Sequence, residues 1–271
     1  MSTVSIDVER LAGDLLEAER TRRPIPPLTE AIPALEIEQA YAIQRAAIAR
    51  RLAAGATHVG WKVGLTSRAM QELLGVDLPD FGHLLNDMEV APGAALDLAE
   101  LVAPRVEPEI AFMLGADLRG PGATIDDALA ATSWVAPSLE VVDSRIADWR
   151  IKLADTVADN ASSGRYVLGE RRTPADAVDL SAIELRFTPG GDPPVTATGD
   201  AVLGHPAAPV AWLANTLAPL GESLRAGQVV LSGSFVAAVP LVAGARYRAE
   251  LPVLGAVELA VANPSNGGGA S

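Results

Sequence analysis

The 271-residue chain carries 21 Lys and Arg against 34 Asp and Glu, a formal charge of −13, with 49% hydrophobic and 4% aromatic residues. The acidic balance argues against non-specific binding to nucleic acid or to anionic lipid. The absence of cysteine excludes disulfides, thiolate nucleophiles and thiolate metal ligands. Three histidines, His58, His83 and His205, are too scattered for a histidine-based zinc site. Any metal must therefore rest on oxygen ligands, which points to Mg²⁺ or Mn²⁺. No signal pattern opens the chain and no apolar run reaches membrane-spanning length, so a cytoplasmic location is expected.

The length suits one large domain with a small helical appendage. Residues 1–57 form the expected helical region. Val8, Leu11, Leu15 and Leu16 recur at helical spacing, a proline-rich connector follows at Pro24–Pro27, and a second helix is predicted from Glu36 to Ala54. Ile37, Tyr41, Ile48 and Leu52 should form the apolar face of that second helix, with Gly55 ending it. Residues 58–262 read as a β-rich domain, and 263–271 as a frayed tail.

His58–Thr66 alternates like a strand. Lys62 within it is either an outward-facing lysine or one aimed into a pocket. A short helix is predicted over Ser67–Leu74 and a loop over Gly75–Gly82, which would carry Asp80 just ahead of His83. Pro104–Phe112 reads as a strand with Glu107, Glu109 and Ala111 on one face. Its carboxylates are either a solvated acidic stripe or half of a divalent-metal site. A Gly/Pro-rich turn over Gly115–Gly122 leads to a helix capped at Thr124, then to an apolar strand through Val135–Asp143. Glu140 is a lone carboxylate in that apolar run, which is costly unless it is paired or metal-bound.

Ser144–Ala158 places Ile146, Trp149, Leu153 and Val157 at helical spacing and predicts a single core-facing helix. Asp159–Gly164 is either a helix exit or a set of small donors for an anion. The last third is mostly β: a strand at Ile183–Phe187, a hairpin turn at Pro189–Asp192, a helix at Pro209–Leu217, a strand at Gln228–Phe235 running into Ser232-Gly233-Ser234, and strands near Arg246–Leu251 and Val257–Val261.

Several long segments together are similar to one family. They are Gly60-Trp61-Lys62-Val63-Gly64-Leu65-Thr66, Pro79-Asp80-Phe81-Gly82, Pro104–Phe112, Ser138–Ile146, and Asp148–Leu153 with Asp155–Ser162. The chain resembles the 2-keto-4-pentenoate (2-hydroxypenta-2,4-dienoate) hydratases of the fumarylacetoacetate hydrolase superfamily over roughly its whole length. The resemblance implies an α+β fold, a mixed β-roll with a small helical N-terminal region. It implies Mg²⁺ or Mn²⁺ held by Glu107, Glu109 and Glu140, proton transfer by Lys62 and Asp80, and substrate contacts from Ser162, Ser232, Gly233 and Ser234. It also implies a ring-type homo-oligomer, a pentamer or decamer, that associates with an aldolase or decarboxylase of its pathway. Asn86 stands where many relatives carry an acid.

The implied reaction ketonises a 2-hydroxy-2,4-dienoate and adds water at C4 to give a 4-hydroxy-2-oxo acid, in aromatic or steroid-ring meta-cleavage catabolism. Charge builds on the C2 oxygen, where a metal acts as Lewis acid. A lysine beside a metal and apolar groups is expected to have a lowered pKa suited to proton transfer. The competing readings are a 4-oxalocrotonate decarboxylase, a 2-oxohept-3-enedioate hydratase, and an inactive partner subunit of a pathway complex.

Overall fold

The computed structural model describes residues 5–66, 71 and 78–263. The helix expected over Ser67–Leu74 and the tail beyond Asn263 therefore lie outside the described residues, apart from Gln71. Among the described residues no helix is long and apolar enough to cross a membrane.

Three helices open the chain: α1 (Val8–Thr21), α2 (Leu28–Ala31) and α3 (Ile37–Ala53). The Asp7 carboxylate accepts the Arg10 N–H and caps α1, and the Gln39 side chain accepts the Glu36 N–H at the start of α3. α3 buries Ala40, Ile43, Gln44, Ala47 and Ile48. Leu52, expected on that face, is 40% exposed. The buried stripe of α3 is built from small residues and a glutamine, so large apolar residues alone misplace it. Gln44 donates to the carbonyls of Phe81 and Val157, tying α3 to the site described below.

The β structure forms two sheets. The larger has the order β2 (Asp80–Leu85), β1 (His58–Gly64), β9 (Val229–Leu231), β4 (Arg105–Leu114), β5 (Thr132–Val142), β6 (Ser163–Leu168), with β10 (Val239–Pro240) added to β4. The smaller runs β3 (Ala95–Leu96), β12 (Gly255–Val261), β11 (Arg246–Leu251), β7 (Glu184–Thr188), β8 (Val195–Thr198). Both are mixed, since β1–β9 and β12–β3 are parallel and the other pairs antiparallel. Trp61, Val63, Val106, Ile110, Phe112 and Leu139 of the large sheet share one core with Leu185, Phe187, Tyr247, Leu251 and Leu259 of the small one. α4 (Ile125–Ala131), capped by the Thr124 hydroxyl as expected, and α6 (Ala208–Leu217) add to this core. This is the α+β, two-sheet arrangement expected of the β-roll.

Two local expectations are corrected. Asp80 does not lie in a loop: it begins β2 and pairs with Gly64 of β1. Every residue of β2 is buried, so no polar–apolar alternation betrays the strand. Ser144–Ala158 is not one helix. A 3₁₀ turn at Ala147–Trp149, with Asp148 and Trp149 at φ 60° and 55°, precedes a short helix, α5 (Leu153–Ala158). The break is fixed by side chains. The Trp149 indole N–H donates to the Ala103 carbonyl, and the Asp155 carboxylate accepts the N–H groups of Lys152 and Thr29. α5 packs on the N-terminal helices through Ala154, Val157 and Ala158 against Leu11, Leu15 and Ile43.

Candidate active site

Strand register gathers the site on one face of the large sheet. Residues directly opposite on neighbouring strands share a face. Glu107 lies opposite Glu140, and Glu109 opposite Ser138. Ala111, on the same face as Glu109, pairs with Leu231 of β9, and Leu231 pairs with Lys62 of β1. Lys62 in turn lies opposite Gly82, beside the Gly64–Asp80 pair. Lys62, Asp80, Glu107, Glu109 and Glu140 therefore project from one surface. Glu107, Glu109 and Glu140 each offer an oxygen within 4.8 Å of the others'.

These groups are deeply buried. Glu140 is 0% exposed, Glu109 1%, Asp80 2% and Lys62 3%. The solvated alternatives for Lys62 and for the acidic stripe fall on those values, Glu107 alone being half-buried. Gly64 makes the Lys62–Asp80 approach feasible, because a Cβ there would lie 2.2 Å from Asp80 Oδ1 and 3.1 Å from Lys62 Nζ.

Lys62 Nζ donates to the Ala161 carbonyl at 2.9 Å and stands 3.5 Å from Glu140 Oε1. Its acceptor lies in a strained turn, since Asn160, Ala161 and Ser162 are consecutive non-glycine residues at φ 54°, 50° and 54°. The Asn160 side chain holds that turn against β2, accepting the His83 N–H at 2.8 Å and donating to the His83 carbonyl at 2.9 Å. Arg145, buried and paired with Asp159 at 2.5 Å, donates to the Ser163 carbonyl on the other side. The Asp159–Gly164 stretch is thus a clamped 3₁₀ turn leading into β6, with Ala161 directed at the lysine and Ser162 at the cavity.

The electrostatics follow from burial. Burial pushes Glu140 up to about 7, against the pull of Lys62. Burial and then the neighbouring Glu140 and Glu107 hold Glu109 well above the carboxylate range, although the Gly233 N–H bonds it at 2.9 Å. Glu107 and Asp80 are also raised by burial, each opposed by Lys62. Before a cation binds, the lysine pKa is raised, against the expected lowering. Burial does work against the charged form, but Glu140, Asp80, Glu107 and Glu109 outweigh it and hold the Lys62 ammonium above the ordinary lysine range.

A cavity opens onto this face, lined by Lys62, Thr66, Asp80, Arg105, Glu107, Thr156, Ser162 and Ser234 with Val142, Trp149, Ile151, Val236 and Ala238 among its apolar walls. Of the expected substrate contacts, Ser162 and Ser234 line it. Ser232 and Gly233 do not: Ser232 is fully buried, and Gly233, at φ 96°, turns its N–H onto Glu109. Arg105, Trp149 and Thr156 line the cavity without having been singled out for it. Arg105 stands two residues before Glu107 on the same face, a signal available in the sequence, whereas the helical spacing of Trp149 places it on a core-facing helix. Asn86 is exposed, and its side-chain oxygen accepts the Thr57 N–H at 2.7 Å.

The donor set fits a hard divalent cation. Three carboxylates converge, and both Glu140 side-chain oxygens are buried without a hydrogen-bond partner. Among the described residues, Lys62 brings one ammonium to within 3.5 Å of Glu140, and the Gly233 N–H bonds Glu109.

No family model matches the chain. Its fold is that of the fumarylacetoacetate hydrolase superfamily. Fumarylpyruvate hydrolase from Pseudomonas aeruginosa, solved with Mn²⁺ and pyruvate, superposes with a TM-score of 0.60 at 17% identity over 76% of this chain and 90% of its own. 4-Oxalocrotonate decarboxylase from Pseudomonas putida G7, solved with magnesium and adipate, superposes with a TM-score of 0.91 at 35% identity over 95% of this chain and 99% of its own.

Within that superfamily the chain belongs to the 2-keto-4-pentenoate hydratase family. It is 48% identical to 2-hydroxyhexa-2,4-dienoate hydratase of Comamonas testosteroni, covering 89% of this chain and 92% of the relative. It is 43% identical to 2-keto-4-pentenoate hydratase of Paraburkholderia xenovorans (strain LB400), covering 92% and 93%.

Proposed function

We propose that this protein is a metal-dependent hydro-lyase that adds water to 2-hydroxypenta-2,4-dienoate, or a short alkyl homologue, to give a 4-hydroxy-2-oxo acid. The observation that carries the reading is the convergence of three carboxylates, two buried and one half-buried, with Lys62 and Asp80 on one cavity-facing surface, in a chain of this hydratase family. Glu107, Glu109 and Glu140 would hold Mg²⁺ or Mn²⁺. The cation would supply Lewis-acid stabilisation for the negative charge that builds on the substrate's C2 oxygen.

The protein's own groups divide the proton work. Lys62, protonated beside its four carboxylates before the cation binds, is the donor from Nζ to substrate carbon: it gives a proton to C5 on ketonisation and recovers one from the C2 hydroxyl, then gives one to C3 on hydration and recovers one from Asp80. Asp80, its pKa raised by burial and its Oδ2 3.5 Å from the Thr156 hydroxyl, takes the proton from the water that bonds to C4. The apolar walls Val142, Ile151, Val236 and Ala238 limit competing water. Ring-type self-assembly and association with a pathway aldolase or decarboxylase extend the same proposal, and sedimentation with and without the partner enzyme tests them.

Decarboxylation of 2-oxo-3-hexenedioate is the second reading, favoured by the likeness to the solved decarboxylase. The experiment supplies 2-hydroxypenta-2,4-dienoate with and without Mg²⁺ or Mn²⁺ and follows loss of the dienol's ultraviolet absorbance while assaying CO₂. Metal-dependent loss of absorbance without CO₂ is expected. Release of CO₂ from the six-carbon dioate, with no turnover of the dienoate, would overturn the hydratase reading.

A further inference from the structure

Among the described residues two cations, Lys62 and Arg105, line the cavity, and they are used differently. Lys62 is committed to Glu140 and to the Ala161 carbonyl. Arg105 forms no ion pair, and its guanidinium donates no hydrogen bond, among the described residues. Its Cζ instead lies 4.6 Å from the centroid of the Trp149 ring. The indole is itself fixed. Its N–H donates to the Ala103 carbonyl at 2.9 Å, and the buried Asp143 carboxylate holds the N–H groups of Val102 and Ala103 at 2.7–3.1 Å. Trp149 keeps a left-handed backbone at φ 55°, which a bulky residue retains only where its surroundings over-determine it.

The hydroxyls of Ser234, Thr156 and Ser162 are less free. Ser234 Oγ donates to the Val236 carbonyl at 2.6 Å, and Thr156 and Ser162 lie 3.4 Å from each other, with Thr156 also on Asp80. An unpaired planar fork, backed by a clamped aromatic ring and facing a cavity, is suited to bidentate recognition of a carboxylate.

We propose that Arg105 binds the C1 carboxylate of the substrate and that Trp149 is its positioning residue. The identity of that carboxylate, the acid group of a 2-hydroxy- or 2-oxo-monocarboxylate, rests on the hydratase reading. Arg105 and Glu107 share a face two residues apart, so this carboxylate is held at the edge of the acidic cluster while the hydrocarbon tail lies along the apolar walls.

The test measures binding of 2-oxopentanoate, a saturated 2-oxo acid, and of its neutral amide to the Mg²⁺-loaded protein by calorimetry. Arg105→Met should weaken the acid by roughly 10–100-fold, the size of a lost charge-assisted pair, and leave the amide unchanged. Arg105→Lys should recover part of the loss, because an ammonium lacks the fork. Trp149→Leu should weaken the acid in wild type but add little on top of Arg105→Met, since the two act as one unit. With the dienoate, KM should rise while kcat changes little.

Equal loss of acid and amide in both Arg105 variants would overturn the proposal, as would unchanged acid binding. So would a loss confined to the six-carbon dioate, which would put the guanidinium at the tail. A wild-type protein that binds 2-oxopentanoate through Arg105 yet hydrates no dienoate would overturn the hydratase reading and leave this inference standing.

Discussion

Glu107 and Glu140 face each other directly across β4 and β5. Like charges directly opposite in a sheet destabilise it, and burial magnifies the effect. Without a cation the folded state relieves this by holding protons: burial first, and then the facing Glu107, raise Glu140 to about 7 against the pull of Lys62. The sign follows: a carboxyl whose folded pKa exceeds its unfolded value contributes stability at low pH that is lost as pH rises. For Glu140 the loss spans about pH 4.5 to 7. A divalent cation needs the ionised carboxylates and displaces those protons. Mg²⁺ should therefore raise the melting temperature more at about pH 8 than at about pH 5.5. Calorimetric binding heats should also depend on the buffer's ionisation enthalpy, reporting proton release. A shift independent of pH would count against a carboxylate-held ion.

Replacing Glu140 with Gln separates the two roles of that side chain. The amide keeps the shape but removes one of three opposed charges. Metal-free Glu140→Gln should melt at or above the wild-type temperature near neutral pH, while its Mg²⁺ affinity falls roughly 100-fold or more. Scanning calorimetry and metal titration on the same samples check both halves. Retained Mg²⁺ affinity would remove Glu140 from the ligand set.

Much of this site was legible in the sequence because strand periodicity is simple. Glu107 and Glu109 fell on one face by alternation, and Glu140 stood out as an acid in an apolar run. Their convergence depends on the register of β4 against β5, which no local pattern encodes. Asp80 is legible by motif but reads as a loop residue, since β2 is buried on both faces and lacks a period. The break at Trp149 was invisible for another reason. Ile146, Trp149, Leu153 and Val157 keep helical spacing, and only the distant Ala103 carbonyl and the strained φ angles reveal the turn. The charge state of Lys62 likewise depends on four carboxylates brought from three other strands, which outweigh the desolvation that a local reading emphasises.

Lys62→Met should fold and still bind Mg²⁺, because it removes a cation that competes for the same carboxylates. Turnover of the dienoate should fall by roughly 10²–10⁴-fold, the usual scale for removal of a proton-transfer group. Asp80→Asn should behave likewise, with its Thr156 contact preserved in shape. Stopped-flow absorbance with matched metal titrations distinguishes lost chemistry from lost metal. Full activity of either variant would break the assignment for that residue.

Asn160 has a positioning role that sequence type alone does not suggest. Its side chain makes two hydrogen bonds to the His83 main chain and restrains three residues in the left-handed region. Asn160→Ala leaves those buried backbone groups unpaired and should cost about 2–4 kcal/mol. It should also loosen the Ala161 carbonyl from Lys62, lowering kcat beyond what stability explains. Urea denaturation and kcat measured well below the melting temperature separate the two effects; unchanged stability would contradict the clamp.

On the other face of the β1–β2 pair, His83 packs on Trp61 with ring centroids 4.4 Å apart and planes tilted by 38°, and meets His58 through ring nitrogens 3.3 Å apart. Burial, then the nearby His58 and Arg45, pull His83 down to about 3 from an ordinary 6.5. The sign is opposite to that of the carboxylates. The unfolded chain binds this proton more readily, so stability is lost as pH falls from about 6.5 towards 3. Each unit below the unfolded pKa costs about 1.4 kcal/mol, so acidification to about pH 5 should cost about 2 kcal/mol from this residue. His83→Phe keeps a ring against Trp61 and removes the titration. Its urea midpoint should therefore fall less than the wild type's between about pH 7 and about pH 5. Parallel declines in the two proteins would show that His83 is not held neutral by its burial.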